Sequence, residues 1–341
     1  MSNQVFTSQT ALVPILDGLF DYAGLFPPAS LEMDAAVSEY LGHRDGSERY
    51  MVGPFVVPAA RLHDMQRAFE VLGSGTDFTL LPRPVTDPAR DTSTLEEDFR
   101  AARRLEQHTD LPFRCVAVES RIPVPMVDAA AYASLVRIAL ENAGLEPARV
   151  FLEIPRGDDF EARLGPYFDA LVAASGRPLF AGKLRCGGST PADYPSSREI
   201  ALFILAGIRV DCPFKFTAGL HHPFRHFSDN NDVIMHGFVN VVVATTVGAA
   251  IKGHVRMKND PSQGDDVPQV TFDAPAILEQ ILEEYTPQKF RFVGNNVRWE
   301  SFILQPDALR RVRSELALGI GSCSIREPLE DLSHYFPPLH T

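Results

Sequence analysis

From about residue 50 the chain alternates short apolar, β-branched runs with longer segments whose apolar residues recur at helical spacing. Strand-like runs fall at 51–57, 78–81, 113–118, 150–154, 179–184 and 214–217, with helical patterns between them at 59–72, 94–108, 127–142, 160–174 and 196–207. Several of the helical patterns open on Asp, Ser or Thr and close on Gly, as capped helices do. Beyond Thr217 the pattern predicts a buried helix over 232–251, then a polar loop over 258–268 with the composition of a lid. A helix over 274–285, a strand at 290–293, a helix over 306–316, a strand at 317–322 and a terminal helix from Pro328 complete the chain. Eight strands alternating with helices predict an α/β fold, a (β/α)8 (TIM-like) barrel with an N-terminal extension. Residues 1–45 are then the extension and a helix, and 46–341 the barrel, in one domain. An open doubly wound sheet would place the same residues at strand C-terminal ends.

Two strands in this pattern carry an expensive residue. Lys183 lies in Leu179-Phe-Ala-Gly-Lys-Leu-Arg185, and Lys215 in Phe214-Lys-Phe-Thr217. A buried lysine must be paired or have its pKa depressed. Period-two sorting puts Phe180, Gly182, Leu184, Phe214 and Phe216 towards the outer helices. Lys183, Arg185, Lys215 and Thr217 then point to the barrel axis, near the C-terminal mouth. The same sorting turns Glu153 inward and brings Glu119 to the mouth. Counted along the chain, the lysines fall on the fifth and sixth predicted strands, about 4.8 Å apart. Two neighbouring cations lower each other's pKa, so one of them is expected to be a neutral amine, as in Schiff-base catalysis. A structural ion network and simple anion binding are the competing expectations.

Composition narrows the class without naming it. With 45% hydrophobic and 22% charged residues the 341-residue chain reads as globular. Its net charge of −12 argues against nucleic acid and anionic membrane as partners. No secretory signal is visible, and the four cysteines are scattered, so a reduced, cytoplasmic protein is expected. A homo-oligomer is left open.

The remaining chemistry clusters after the lysine strands. His221, His222 and His226, with His236 further on, supply proton-transfer groups. Combined with Glu119 or Glu153 they are the alternative, a divalent metal site, although no H-E-x-x-H or H-x-H spacing is present. No other cofactor is predicted. Arg185 and Arg225, with Thr217, Ser322 and Ser324, are candidate binders of a small anionic metabolite. Cys323 has no base partner visible in the sequence. Asp21, Tyr22 and Phe26 are expected either to cap the mouth or to plug the bottom.

Two resemblances rest on these residues. Asp21-Tyr-Ala-Gly-Leu-Phe-Pro-Pro-Ala29, Lys183-Leu-Arg-Cys-Gly-Gly188 and Lys215-Phe-Thr-Ala-Gly-Leu-His-His-Pro223 resemble a family of bacterial proteins of uncharacterised activity, as do His236-Gly-Phe-Val-Asn240 and Gly321-Ser-Cys-Ser-Ile-Arg-Glu-Pro328. Locally, Lys215-Phe-Thr-Ala-Gly219 is similar to the Lys-Thr-Ser-Thr-Gly stretch of deoxyribose-phosphate aldolases, and Lys183-Leu-Arg-Cys186 to the Lys-x-Arg-Cys of fructose-bisphosphate aldolases. Class I aldolases are (β/α)8 barrels whose imine-forming lysine often lies on strand six, and the deoxyribose-phosphate enzymes carry a second lysine on the following strand. The resemblance implies a carbon–carbon lyase with Lys215 as imine former and Lys183, Glu153, Glu119, His221 and His222 as its assistants. The doubled histidine has no counterpart there. A metal-dependent lyase, isomerase or hydrolase, and a non-catalytic ligand-binding barrel, are the alternatives.

Overall fold

Phe20–Tyr22, inside the stretch expected to be an extension, is the first strand of the barrel. The computed structural model describes residues 11–107, 110–123, 128–228, 232–253, 255 and 273–336. Its eight parallel barrel strands are β1 (Phe20–Tyr22), β2 (Val52–Pro58), β3 (Asp77–Leu81), β4 (Arg114–Arg121), β5 (Arg149–Glu153), β6 (Leu179–Arg185), β7 (Phe214–Thr217) and β8 (Ala317–Ser322). They close in the order β1-β8-β7-β6-β5-β4-β3-β2. The (β/α)8 architecture expected from the alternation is present, with its first strand placed earlier and its extension correspondingly shorter.

Closure is made where β1 slots between β8 and β2. Phe20, Asp21 and Tyr22 align with Ile320, Gly321 and Ser322, and on the other side Phe20 aligns with Val52. Arg313, buried on the helix Pro306–Glu315, ties the seam from outside. Its guanidinium donates to the carbonyls of Ile15 (3.0 Å), Asp17 (3.1 Å) and Ala317. A buried arginine of this kind is tolerated because its donors are met.

The 290–293 run, expected to be the seventh barrel strand, belongs elsewhere. Phe290–Val293, Asn296–Trp299 and Phe302–Leu304 form a separate antiparallel sheet. Val293 pairs with Asn296 across the Gly294-Asn295 turn, where Gly294 has φ +58°. A two-residue turn with a left-handed glycine makes a hairpin, which no parallel barrel strand can follow. The expected helix over 232–251 also divides. Val233–Met235 pairs with His226–Ser228 in a hairpin, and the helix runs only over Phe238–Ile251. That helix is buried over nearly all its length, and Thr245 and Thr246 satisfy their hydroxyls on the carbonyls of Val241 and Val242. The expected lid at 258–268 lies outside the described residues.

The face assignment follows the expected alternation. Outward from β6 and β7, Phe214 and Phe216 pack edge-to-face on Phe203. Gly182 leaves room for Phe168 and Phe203, since a Cβ there would lie 2.8 Å from the Phe168 ring. Inward, Ala117, Phe151 and Ala181 with Leu318 form one thin apolar layer. Above that layer β4 to β7 carry the buried Glu119, Glu153, Lys183 and Lys215.

Because β1 is a barrel strand and Phe20 is fully buried against Phe238, Phe20→Ala should cost about 3–5 kcal/mol in urea unfolding. A loss below about 1 kcal/mol would mean that the segment is an appendage after all.

Candidate active site

Two residues above the apolar layer, the strands present a row of charges. Glu153 aligns with Lys183, and Lys183 with Lys215, across β5, β6 and β7. Glu119, from β4, reaches between the two lysines. Its Oε2 accepts from Lys183 Nζ at 2.7 Å and its Oε1 from Lys215 Nζ at 2.6 Å. Each lysine then has a second carboxylate: Glu153 lies 3.1 Å from Lys183, and Asp21 accepts a short hydrogen bond from Lys215. Arg121 Nε stands 3.7 Å from the far side of Glu153. The result is a ladder of alternating sign, Asp21–Lys215–Glu119–Lys183–Glu153–Arg121.

All but Arg121 are buried. Lys215 has no exposed surface and Lys183 only 6%. Burial alone would favour neutral amines, but the adjacent carboxylates outweigh it. Glu119 and Glu153 raise the Lys183 pKa above its ordinary value, and Asp21 and Glu119 raise that of Lys215 further. This corrects the expectation of a neutral amine. Like-charge repulsion between the lysines is real, but a carboxylate placed between them dominates it. Burial likewise works against the Glu119 carboxylate, yet the two lysines pull its pKa down to about 2. Asp21 goes the other way: desolvation, offset only in part by Lys215, raises its pKa.

Backbone choices hold this row in place. A Cβ on Gly53 would lie 2.4 Å from Asp21 Oδ1, so only glycine on β2 lets that carboxylate lean into the barrel. Lys215 Nζ also lies 5.1 Å from the centre of the Phe151 ring, which forms a cation–π floor beneath it. Behind β6, the Tyr167 hydroxyl accepts from the Lys183 amide at 3.1 Å and donates to the Leu152 carbonyl, fixing β5 against β6.

The other candidates divide. Arg185 and Thr217 face each other across β6 and β7 one step above the lysines, and Arg185 turns back to donate to the Gly187 carbonyl at 2.8 Å. Arg225 lies apart from them. It donates to Ser197 (2.9 Å) and to His236 Nδ1 (3.3 Å), while His236 Nε2 donates to the Pro195 carbonyl at 2.8 Å. Burial lowers the His236 pKa to about 4, so this histidine is neutral and serves as a connector. Ser322 donates to the Ser324 carbonyl at 2.6 Å, and the Ser324 hydroxyl accepts from the Glu327 amide, opening the helix Arg326–Tyr335.

That helix captures the histidine loop. Glu327 and Asp331, one turn apart on one face, meet His221 (3.3 Å) and His222. The His222 and His226 rings sit 4.1 Å apart, and His226 Nδ1 donates to the Phe224 carbonyl. Of the four histidines of the expected metal alternative, His221, His222 and His226 neighbour one another, while His236 is held apart on Arg225 and Pro195. Among the described residues, no group of three or more His, Cys, Asp or Glu is placed to hold a metal ion. Cys323 does have a neighbour that the sequence hid, His221 Nδ1 at 3.9 Å. Glu327 and Ser322 approach that same nitrogen, so no relay through two ring nitrogens is formed, and burial pushes the thiol pKa up.

Sequence reasoning passed over Asp21 and Arg121 as site residues. Asp21 carried a usable signal, an acid flanked by Phe20 and Tyr22, which is as costly in a strand as the lysines are.

The chain matches no protein-family model, no curated protein and no solved structure.

Because the Glu119 pKa lies below its ordinary 4.5, the bridge contributes fully above pH 4.5 and is lost as pH falls towards 2. Glu119→Gln should therefore be about 3–5 kcal/mol less stable than wild type at pH 7. That difference should close as urea titrations move from pH 4.5 towards pH 2.5. A difference independent of pH would rule out an ionised bridge.

Proposed function

We propose that the protein is an enzyme acting on a small carbonyl metabolite bearing a carboxylate or phosphate, an aldolase-type carbon–carbon lyase whose imine-forming amine is Lys183. Closed barrels of this kind commonly carry catalytic groups at the C-terminal ends of their strands. The observation that supports the reading most is the position of Lys183 Nζ between two carboxylates, Glu119 at 2.7 Å and Glu153 at 3.1 Å.

Imine formation needs an amine that has given up its proton, then a donor that removes the carbinolamine hydroxyl as water. Glu153, on the mouth side, takes the ammonium proton and returns it to the departing hydroxyl. Cleavage then sends the carbon–carbon bond electrons into the iminium to leave an enamine. A carboxylate accepts the proton of the substrate hydroxyl that becomes the new carbonyl and returns it to the enamine carbon. Water then hydrolyses the resulting iminium to release the second product and free Lys183. Lys215 keeps Glu119 ionised throughout. Arg185, on the same face two residues beyond Lys183, would meet the substrate's anionic group.

The recount of strands supports this choice. With β1 included, Lys183 lies on strand six and Lys215 on the strand after it. That is the order of the two lysines in the deoxyribose-phosphate aldolase resemblance, and it exchanges the roles expected from sequence. The raised pKa of both lysines favours a second reading, in which two ammonium groups hold an enolate oxygen without a covalent bond.

Borohydride reduction in the presence of a panel of keto acids and phosphorylated aldehydes separates the two. The expected result is a mass adduct on Lys183, absent in Lys183→Met. Its formation rate should rise about tenfold per pH unit through the neutral range, because the free amine is scarce below a raised pKa. Deuterium exchange next to the carbonyl with no adduct on either lysine would replace the imine by the enolate clamp.

A further inference from the structure

An opening into the barrel lies at the end opposite the strand C-termini. A cavity of about 1260 Å³ is lined at its rim by Arg114 and Arg149, which begin β4 and β5, by Arg177 and Pro178 before β6, and by the end of the helix Ala129–Ala143. That exceeds the roughly 300–1,000 Å³ of ordinary small-molecule sites. It runs inward past Ala117, Phe151 and Leu318, and its deep end is lined by Thr79, Asp21 and Lys215.

Three features of this cavity have no structural purpose in the fold. Five arginines line it against three glutamates, Glu106, Glu141 and Glu146, in a chain of net charge −12. Arg114 is paired with Asp77 and Arg103 with Glu106. Arg137, Arg149 and Arg177 have no hydrogen bond or ion pair among the described residues; Arg137 only lies over the Phe180 ring at 5.2 Å. The middle of the passage is apolar. At the deep end the Thr79 hydroxyl, fully buried, has no hydrogen-bond partner, although buried hydroxyls are nearly always satisfied.

We propose that this cavity is a binding site, entered from the N-terminal face of the barrel, for a medium-chain carboxylate carrying a hydroxyl or carbonyl at its far end. The carboxylate meets Arg137, Arg149 and Arg177, the chain lies along Ala117, Phe151 and Leu318, and the far group bonds to Thr79. Thr79 aligns with Ala117 and Ala117 with Arg149, so two strand spacings, about 10 Å, lie between Thr79 and Arg149, which suits a chain of roughly eight carbons. At its deep end the site borders Asp21 and Lys215 of the charge ladder, but it does not use Lys183.

Isothermal titration of the full chain with octanoate and with 8-hydroxyoctanoate tests this. Both should bind saturably at one site, the hydroxylated acid about fivefold more tightly for its extra hydrogen bond. Arg149 and Arg177 are exposed and unpaired, so Arg149→Ala with Arg177→Ala leaves the fold intact. It should weaken both ligands about tenfold or more. Thr79→Val should abolish the preference for 8-hydroxyoctanoate and leave octanoate unchanged. Lys183→Met, which removes the proposed imine, should bind both acids as wild type does. Absence of saturable binding, or affinities untouched by the arginine substitutions, would overturn the proposal.

Discussion

The interior of this barrel depends on one carboxylate. Glu119 reaches from β4 to stand between Lys183 and Lys215, one oxygen to each ammonium. Without it two cations on adjacent strands would face each other in a space that excludes water. With it, signs alternate from Asp21 to Arg121, and each buried charge has an opposite neighbour. Removing several charges from water is costly even when they are paired. The return is a polar row held in fixed geometry above a single apolar layer, where an ordinary barrel would stack more hydrocarbon.

That row also explains features of the fold remote from it. Asp21 reaches Lys215 only because β1 lies between β8 and β2 and because Gly53 offers no side chain in its way. Arg313 fastens the β1–β8 seam from outside through three backbone carbonyls. The histidines, by contrast, are bound into the wall. His221 and His222 are held by Glu327 and Asp331, and His236 is locked between Pro195 and Arg225.

Strand alternation made most of this readable in advance. Lys183, Lys215, Glu119 and Glu153 were all assigned to the interior by period two alone, and the structure brings them together. Phe20–Tyr22 was not readable as a strand, since three residues buried on every side show no alternation. Its place in the count was taken by 290–293, although Gly294-Asn295 already carried the signature of a hairpin turn. The direction of the lysine pKa values was missed for a related reason. Sequence order reveals neighbours along the sheet, but Glu119 arrives from two strands away from Lys183, a contact made by the inward curvature of the barrel wall. The arginine-lined cavity at the opposite end could not be anticipated either, because Arg137, Arg149 and Arg177 share no motif and meet only through the turns between helix and strand.

Nitrogen NMR of the lysine side-chain amines, titrated with pH in the ligand-free protein and assigned with Lys183→Met, tests the charge ladder most directly. Both buried lysines should remain ammonium past the ordinary midpoint of 10.5 and titrate only above it. A buried lysine that loses its proton below 10.5 would contradict the account, because Glu119 would then not be holding both charges in place.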